Sequence, residues 1–247
     1  MQYSGWAPQY ERIRAEFRFD PAREEAAAEL LESLLPDPGP DGPLAPARAR
    51  LEGREAIVVG NAPQAGPPPL WRRPAGSAEV ALLAADGATE ACLSAGLVPS
   101  VIVTDLDGPV ASEVTANRRG SLVVVHAHGD NLPAVREWVP QFPGEIVGSW
   151  SGPPRGRLLD VGGFTDGDRA AFLAEHVGAK RIVLWGFDFG KVDEPTAEAR
   201  ARKLAKLAWA RRALDLLDRR GRTPLVFWAR DGSEAPYAVG NEVESTR

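Results

Sequence analysis

Seven short apolar runs, most of them ending in a polar turn, constrain this chain more than any other feature of its sequence. They occupy residues 56–59, 80–84, 101–103, 122–125, 146–147, 182–185 and 225–228. Helix-forming stretches come after several of them, most clearly at 89–95, 166–177 and 196–220. A strand that is apolar along its whole length has to be covered on both faces. The alternation therefore predicts an α/β fold: a Rossmann-like open, mostly parallel sheet with helices on both sides.

Ahead of the first run, Trp6, Tyr10, Ile13 and Phe17 recur at helical spacing, and residues 22–35 are rich in helix formers. The segment Pro36-Asp37-Pro38-Gly39-Pro40-Asp41-Gly42-Pro43 cannot sustain a helix or a central strand. The expected organisation is a helical N-terminal segment with a Pro/Gly linker over residues 1–47, then a Rossmann-like domain over 48–247. Gly66-Pro67-Pro68-Pro69 reads as a surface loop.

The chain has 247 residues, a formal net charge of −5 and no apolar run near the roughly 20 residues that span a bilayer. Neither a membrane nor a nucleic-acid partner is expected, since no basic groove or recognition motif is visible. One cysteine, Cys92, leaves nothing for an internal disulfide or a thiolate metal site, which suits a cytoplasmic protein. Oligomeric state is left open, a homo-oligomer included.

The turns after the strands carry the chemistry. They read Gly60-Asn61-Ala62-Pro63, Asp86-Gly87-Ala88, Thr104-Asp105-Leu106-Asp107-Gly108, His126-Ala127-His128-Gly129-Asp130-Asn131, Gly163-Phe164-Thr165-Asp166-Gly167-Asp168-Arg169 and Gly186-Phe187-Asp188-Phe189-Gly190. In a parallel sheet these ends share one edge, where ligands bind. Seven of the 15 aspartates gather there, and such crowding is costly unless a cation sits among them.

Asp105 and Asp107 alternate, so they point the same way and suit Mg²⁺; the plainer reading is a strand-ending turn. Asp130 or Asp166 would be a further ligand. His126, His128 and Asp130 have the spacing of a transition-metal site, but the surrounding acids favour Mg²⁺. Thr165 with Asp168 is a capping pair whose helix start also offers N–H groups to an anion. Of 29 basic residues only Lys180, Lys191, Lys203 and Lys206 are lysines, and the last three fall within 16 residues. A compact ammonium suits polyphosphate, which sets Lys203 and Lys206 against the plainer reading of a solvated helix face.

Together the turn motifs, the N-terminal aromatics and Arg202-Lys203-Leu204-Ala205-Lys206-Leu207 resemble the archaeal 6-hydroxymethyl-7,8-dihydropterin pyrophosphokinase family over almost the whole chain. Asp86-Gly87-Ala88 with the later Asp105-Leu106-Asp107 is more distantly similar to thiamine pyrophosphokinases. The resemblance implies Mg²⁺-dependent transfer of a diphosphate from ATP to a pterin alcohol with release of AMP, toward methanopterin or folate-type cofactors. On this reading Asp105 and Asp107 hold the metal, and Asp130, Arg169, Lys203 and Lys206 complete the catalytic set. Gly60, Asn61, Asp86, Gly87, Thr104 and Lys191 face the nucleotide. His126, His128, Asn131, Gly163, Phe164, Thr165, Asp166, Asp168 and Asp188 face the acceptor. The chain departs from the family pattern at Ser100 and at Ser149-Trp150-Ser151. A thiamine-type pyrophosphokinase, a nucleotide-sugar glycosyltransferase with an Asp-x-Asp metal site, and a non-catalytic nucleotide sensor are the alternative readings.

Overall fold

Each of the seven apolar runs forms a strand in the computed structural model, which describes residues 3–63, 65–72, 79–153 and 155–238. The strands are β1 (Glu55–Val59), β2 (Val80–Ala85), β3 (Val101–Thr104), β4 (Leu122–Ala127), β5 (Ile146–Trp150), β7 (Arg181–Trp185) and β8 (Leu225–Trp228). Two more were not foreseen: β6 (Leu158–Leu159) and the exposed β9 (Glu234–Pro236). A two-residue pairing and a polar edge strand carry no apolar run to announce them. β5 also runs on through Gly148-Ser149-Trp150, residue types with little strand signal except tryptophan.

The sheet order is β6-β5-β4-β3-β2-β1-β7-β8-β9, parallel throughout except for antiparallel β9. Both faces are covered, as the continuous burial of β1, β3 and β4 demands. On one face Val58, Val103 and Val124 pack with α7 (Asp166–His176) and α8 (Ala197–Arg220), represented by Phe172 and Leu214. On the other, Ile102, Val123 and Val125 pack with α5 (Val110–Arg118) and α6 (Leu132–Trp138), and Ile57 and Val183 with α4 (Ala88–Ser94).

The helical N-terminal segment forms two helices, α1 (Tyr3–Phe17) and α2 (Pro21–Leu34). Arg18 turns into the left-handed region at φ 57°, and the Asp20 side chain then caps α2 by accepting from the Ala22 N–H at 2.9 Å, with Pro21 opening the helix. Trp6, Tyr10 and Ile13 of α1 enter the α7–α8 core, whereas Ala27, Ala28 and Leu31 of α2 enter the opposite one. At about 1.5–3 kcal/mol for each large side chain buried, these contacts tie both helices firmly to the sheet. The expected boundary at residue 47 falls inside α3 (Ala45–Leu51), where Ala47 and Leu51 join the core.

Candidate active site

The chain lays down β1 to β6 in one direction, then returns to add β7 to the free side of β1. Loops leaving β1 and β7 diverge at that switch, which is where open parallel sheets bind ligands. A cavity of about 430 Å³ opens there, walled by Gly60–Pro63, the 186–189 turn, the 164–167 turn and α8. Gly60 has to be glycine: a Cβ would stand 2.6 Å from the carbonyl oxygen of Gly186, closing the two loops off from each other.

Asp86, Asp105 and Asp107 share this cavity, and each offers a carboxylate oxygen within 4.8 Å of the others. The sequence had placed Asp86 on the nucleotide; the pairing of β2 with β3 makes it the third acid of the group. Both turns that carry the three acids are backbone-strained, with φ 42° at Asp86 and 66° at Leu106. Asp tolerates that region, whereas leucine pays roughly 1–2 kcal/mol for it. Gly108 makes room for the cluster, because a Cβ there would run into both carboxylate oxygens of Asp86.

The electrostatics record the crowding. Burial, Asp105 and then Asp86 push Asp107 up to about 6, and burial and Asp105 raise Asp86. Asp166, in the first turn of α7, is pushed well up by burial and by all three acids. Only Asp105 moves the other way: burial opposes its charge, but the hydrogen bond and charge of His128, with help from Asp107 and Lys206, bring it to about 2. Hard oxygens at this density, held apart from any thiolate, fit a divalent cation of the Mg²⁺ type. Among the described residues, the histidines and Asp130 do not form a comparable ligand group.

Gly60, Asn61, Lys191, Phe164, Thr165, Asp166, Asp188, Lys203 and Lys206 all line the cavity. Lys206 is half-buried and acts on Asp105 and Asp107, while Lys203 is exposed. Other candidates face inward. Arg169 is buried, with its guanidinium on the carbonyls of Gly162 at 3.4 Å and Phe164 at 3.3 Å. Gly163 packs against the Arg169 backbone, and Asp168 is spent on the α7 cap, accepting from the N–H groups of Phe164 at 2.6 Å and Thr165 at 2.8 Å. Gly87 caps α4, and Thr104 is fully buried. Asp130 is half-exposed and pairs with Arg23 of α2 at 3.2 Å.

His126 and His128 do share a side, with rings 6.3 Å apart. His126 is buried between Ser149, 3.0 Å from Nδ1, and Ser151, 3.4 Å from Nε2; burial, Arg169 and His128 hold it neutral. His128 reaches Asp105, Nε2 to Oδ2 3.4 Å.

A match to the family described as 6-hydroxymethylpterin diphosphokinase MptE-like covers residues 43–194, the stretch that holds every acid of the cluster. The chain belongs to this family. A 6-hydroxymethyl-7,8-dihydropterin pyrophosphokinase of Methanothermobacter thermautotrophicus is 39% identical over 92% of this chain and 100% of that relative. Proteins of the same description from Pyrococcus furiosus and Methanocaldococcus jannaschii are 37% and 33% identical, covering 92% and 88% of this chain and 98% and 96% of theirs. Lys203 and Lys206 lie beyond the part matched by the diphosphokinase family but within a chain alignable with its members nearly end to end.

Reading the sequence missed three buried acids. Glu113 of α5 is fully buried and pushed up to about 8 by burial and by Asp86. Its signal was an acid three residues after Val110, on the apolar face of a short helix. Glu24 of α2 is buried, accepts from Tyr10, pairs with Arg14 at 3.1 Å and feels the charge of His128. Asp160, just past β6, is buried and pushed up to about 6 by burial, against the Gly162 N–H and Arg169.

Proposed function

We propose that the protein transfers a diphosphate from ATP to the hydroxymethyl oxygen of 6-hydroxymethyl-7,8-dihydropterin and releases AMP, in the making of a methanopterin or folate-type cofactor. The observation that supports this most is the triad of Asp86, Asp105 and Asp107 at the wall of a cavity whose far side carries Lys206, in a chain of the diphosphokinase family. The three carboxylates would hold Mg²⁺, which when bound supplies positive charge to the phosphates.

The alcohol oxygen attacks the β-phosphorus, and the bond from that phosphorus to the oxygen bridging to the α-phosphate breaks, so that AMP leaves with the bridging oxygen. Phosphoryl chemistry of this kind needs alignment and charge neutralisation more than covalent help. Lys206, and Lys203 nearer the rim, meet the charge of the triphosphate from α8. The glycine-lined approach of the β1 and β7 turns leaves room for the nucleotide along the switch point. The acceptor then enters from the β4–β5 side of the acids, next to His128.

We propose a functional division at residue 47 as well. The segment before it supplies Tyr10, Arg14 and Glu24 behind His128, and the part after it supplies the reacting groups. No helix of the described residues is long and apolar enough to cross a membrane, and we take the cytoplasm as the place of action.

Phosphorus NMR of purified protein with ATP, Mg²⁺ and 6-hydroxymethyl-7,8-dihydropterin tests the reading. AMP and a pterin diphosphate are the expected products. ADP as product, or turnover with thiamine or a sugar nucleotide in place of the pterin, overturns it.

A further inference from the structure

One peptide group, between Asp105 and Leu106, is gripped at both ends. Its N–H donates to Thr104 Oγ1 at 2.9 Å, and its carbonyl oxygen accepts from Asn131 Nδ2 at 2.7 Å. This is the peptide that sets the left-handed φ of 66° at Leu106, and the two carboxylates flanking it belong to the acidic triad. The same two side chains are tied to the rest of the site. Thr104 Oγ1 also donates to Asp86 Oδ1 at 3.3 Å, and Asn131 Nδ2 gives its second proton to the His126 carbonyl at 2.7 Å. Asn131 Oδ1 accepts from the His128 N–H at 3.1 Å.

A carboxamide has two donor protons, and Asn131 has used both on backbone carbonyls, one just past β3 and one in β4. It is buried, and it does not line the cavity. It therefore has no donor left for a substrate. Thr104 is fully buried in the same way. A leucine left alone does not hold a left-handed backbone, and rotation of the 105–106 peptide would turn the Asp105 and Asp107 carboxylates away from each other.

We propose that Asn131 and Thr104 are positioning residues, which lock the Asp105–Leu106 peptide so that Asp86, Asp105 and Asp107 converge on one cation. The proposal rests on the metal role given to the triad above. It assigns both residues to the shape of the metal site and neither to contact with nucleotide or acceptor.

Binding of Mn²⁺ to the nucleotide-free protein, monitored by electron paramagnetic resonance, tests this without turnover. Asn131→Ala and Thr104→Val should each weaken Mn²⁺ binding about tenfold or more, while Thr104→Ser, which keeps the hydroxyl, should stay within about twofold of wild type. KM for the pterin alcohol should be unchanged in Thr104→Ser and in whatever activity Asn131→Ala retains at saturating metal. Should Asn131→Ala not fold, the valine and serine variants at 104 decide the matter alone, since they differ at the site by one hydroxyl. Wild-type affinity in Thr104→Val overturns the lock, as does a raised acceptor KM with unchanged Mn²⁺ binding in Asn131→Ala. Absence of Mn²⁺ binding in the wild type overturns the metal reading itself, a result distinct from either.

Discussion

His128 Nε2 lies 3.4 Å from Asp105 Oδ2, and that contact sets Asp105 apart from Asp107, two residues on in the same turn. Desolvation acts to raise both carboxyl groups, yet the partly buried Asp105 falls to about 2 with His128 beside it, while the more exposed Asp107 rises to about 6. Without a cation the site thus holds one firmly ionised acid and one that gives up its charge easily.

Replacing Asp107 or Asp86 should accordingly remove activity without costing stability, whereas Asp105→Asn should lose activity and also the stability that its ionised form gains beside His128. Asp105→Asn, Asp107→Asn and Asp86→Asn should each lower turnover by orders of magnitude at any Mg²⁺ concentration. For Asp107 the folded pKa lies above the usual carboxylate value, so its charge destabilises the metal-free fold once pH passes about 6. Metal-free Asp107→Asn should therefore melt at or above the wild-type temperature at pH 7.5, with the difference shrinking toward pH 5. Near wild-type turnover in any of the three would remove that residue from the metal site.

Asp160 offers a pH test away from the acids. Its folded pKa of about 6 exceeds the usual Asp value, so the fold is favoured by the proton and that advantage is lost as pH rises through 6. Asp160→Asn mimics the protonated form and keeps an oxygen for the Gly162 N–H. It should stabilise the protein at pH 7.5, by on the order of 1–3 kcal/mol, and make little difference at pH 4. Urea unfolding of the two proteins at both pH values checks this, and equal differences at both would show that Asp160 titrates normally.

Gly108→Ala places a methyl group against the Asp86 carboxylate. The backbone there is not in the left-handed region, so the collision with Asp86 is the whole effect. Turnover should drop at least tenfold with a fall in stability of about 1–3 kcal/mol, the usual range for overpacking. Measured Mg²⁺ dependence should shift upward in parallel; an unchanged dependence would mean that Asp86 can move aside without harm.

Lysine at 206 should matter more than lysine at 203. Both line the cavity, but only Lys206 is half-buried and felt by Asp105 and Asp107. Lys206→Arg should leave the melting temperature nearly unchanged while lowering kcat/KM for ATP roughly tenfold, about 1.4 kcal/mol. Lys203→Arg, on an exposed position, should fall much less. Equal, full activity in both variants would return the pair to the solvated face of α8.

The strands and the shared rim could be read from the chain because apolar runs buried on both faces leave no other period, and because turn residues come directly after them. Asp105 and Asp107 were readable for the same reason: they sit two apart in one turn. Asp86 as their partner was not, since it ends a different strand, and only the pairing of β2 with β3 brings it across. Asp130 looked like a ligand by its place after β4, yet its partner Arg23 comes from α2, more than 100 residues earlier. Asn131 and Thr104 were seen as polar residues at the right edge. Which backbone groups their side chains would reach depends on how β3 and β4 end side by side, a distance no local pattern encodes.

The central place of β1 has a consequence during synthesis. Glu55 pairs with Val80 on one side but with Arg181, 126 residues later, on the other. On a ribosome adding about 5–20 residues per second, β1 waits roughly 6 to 25 s with that apolar edge open. Asp86, Asp105 and Asp107 have by then emerged, while Lys203 and Lys206 have not. The newborn chain therefore passes through a stage with an unpaired strand at its centre and an unbalanced negative charge at its rim. Chains arrested before residue 181 should bind holding chaperones that the finished protein ignores, and the cavity, whose last wall is α8, closes only when every strand but β8 and β9 has been made.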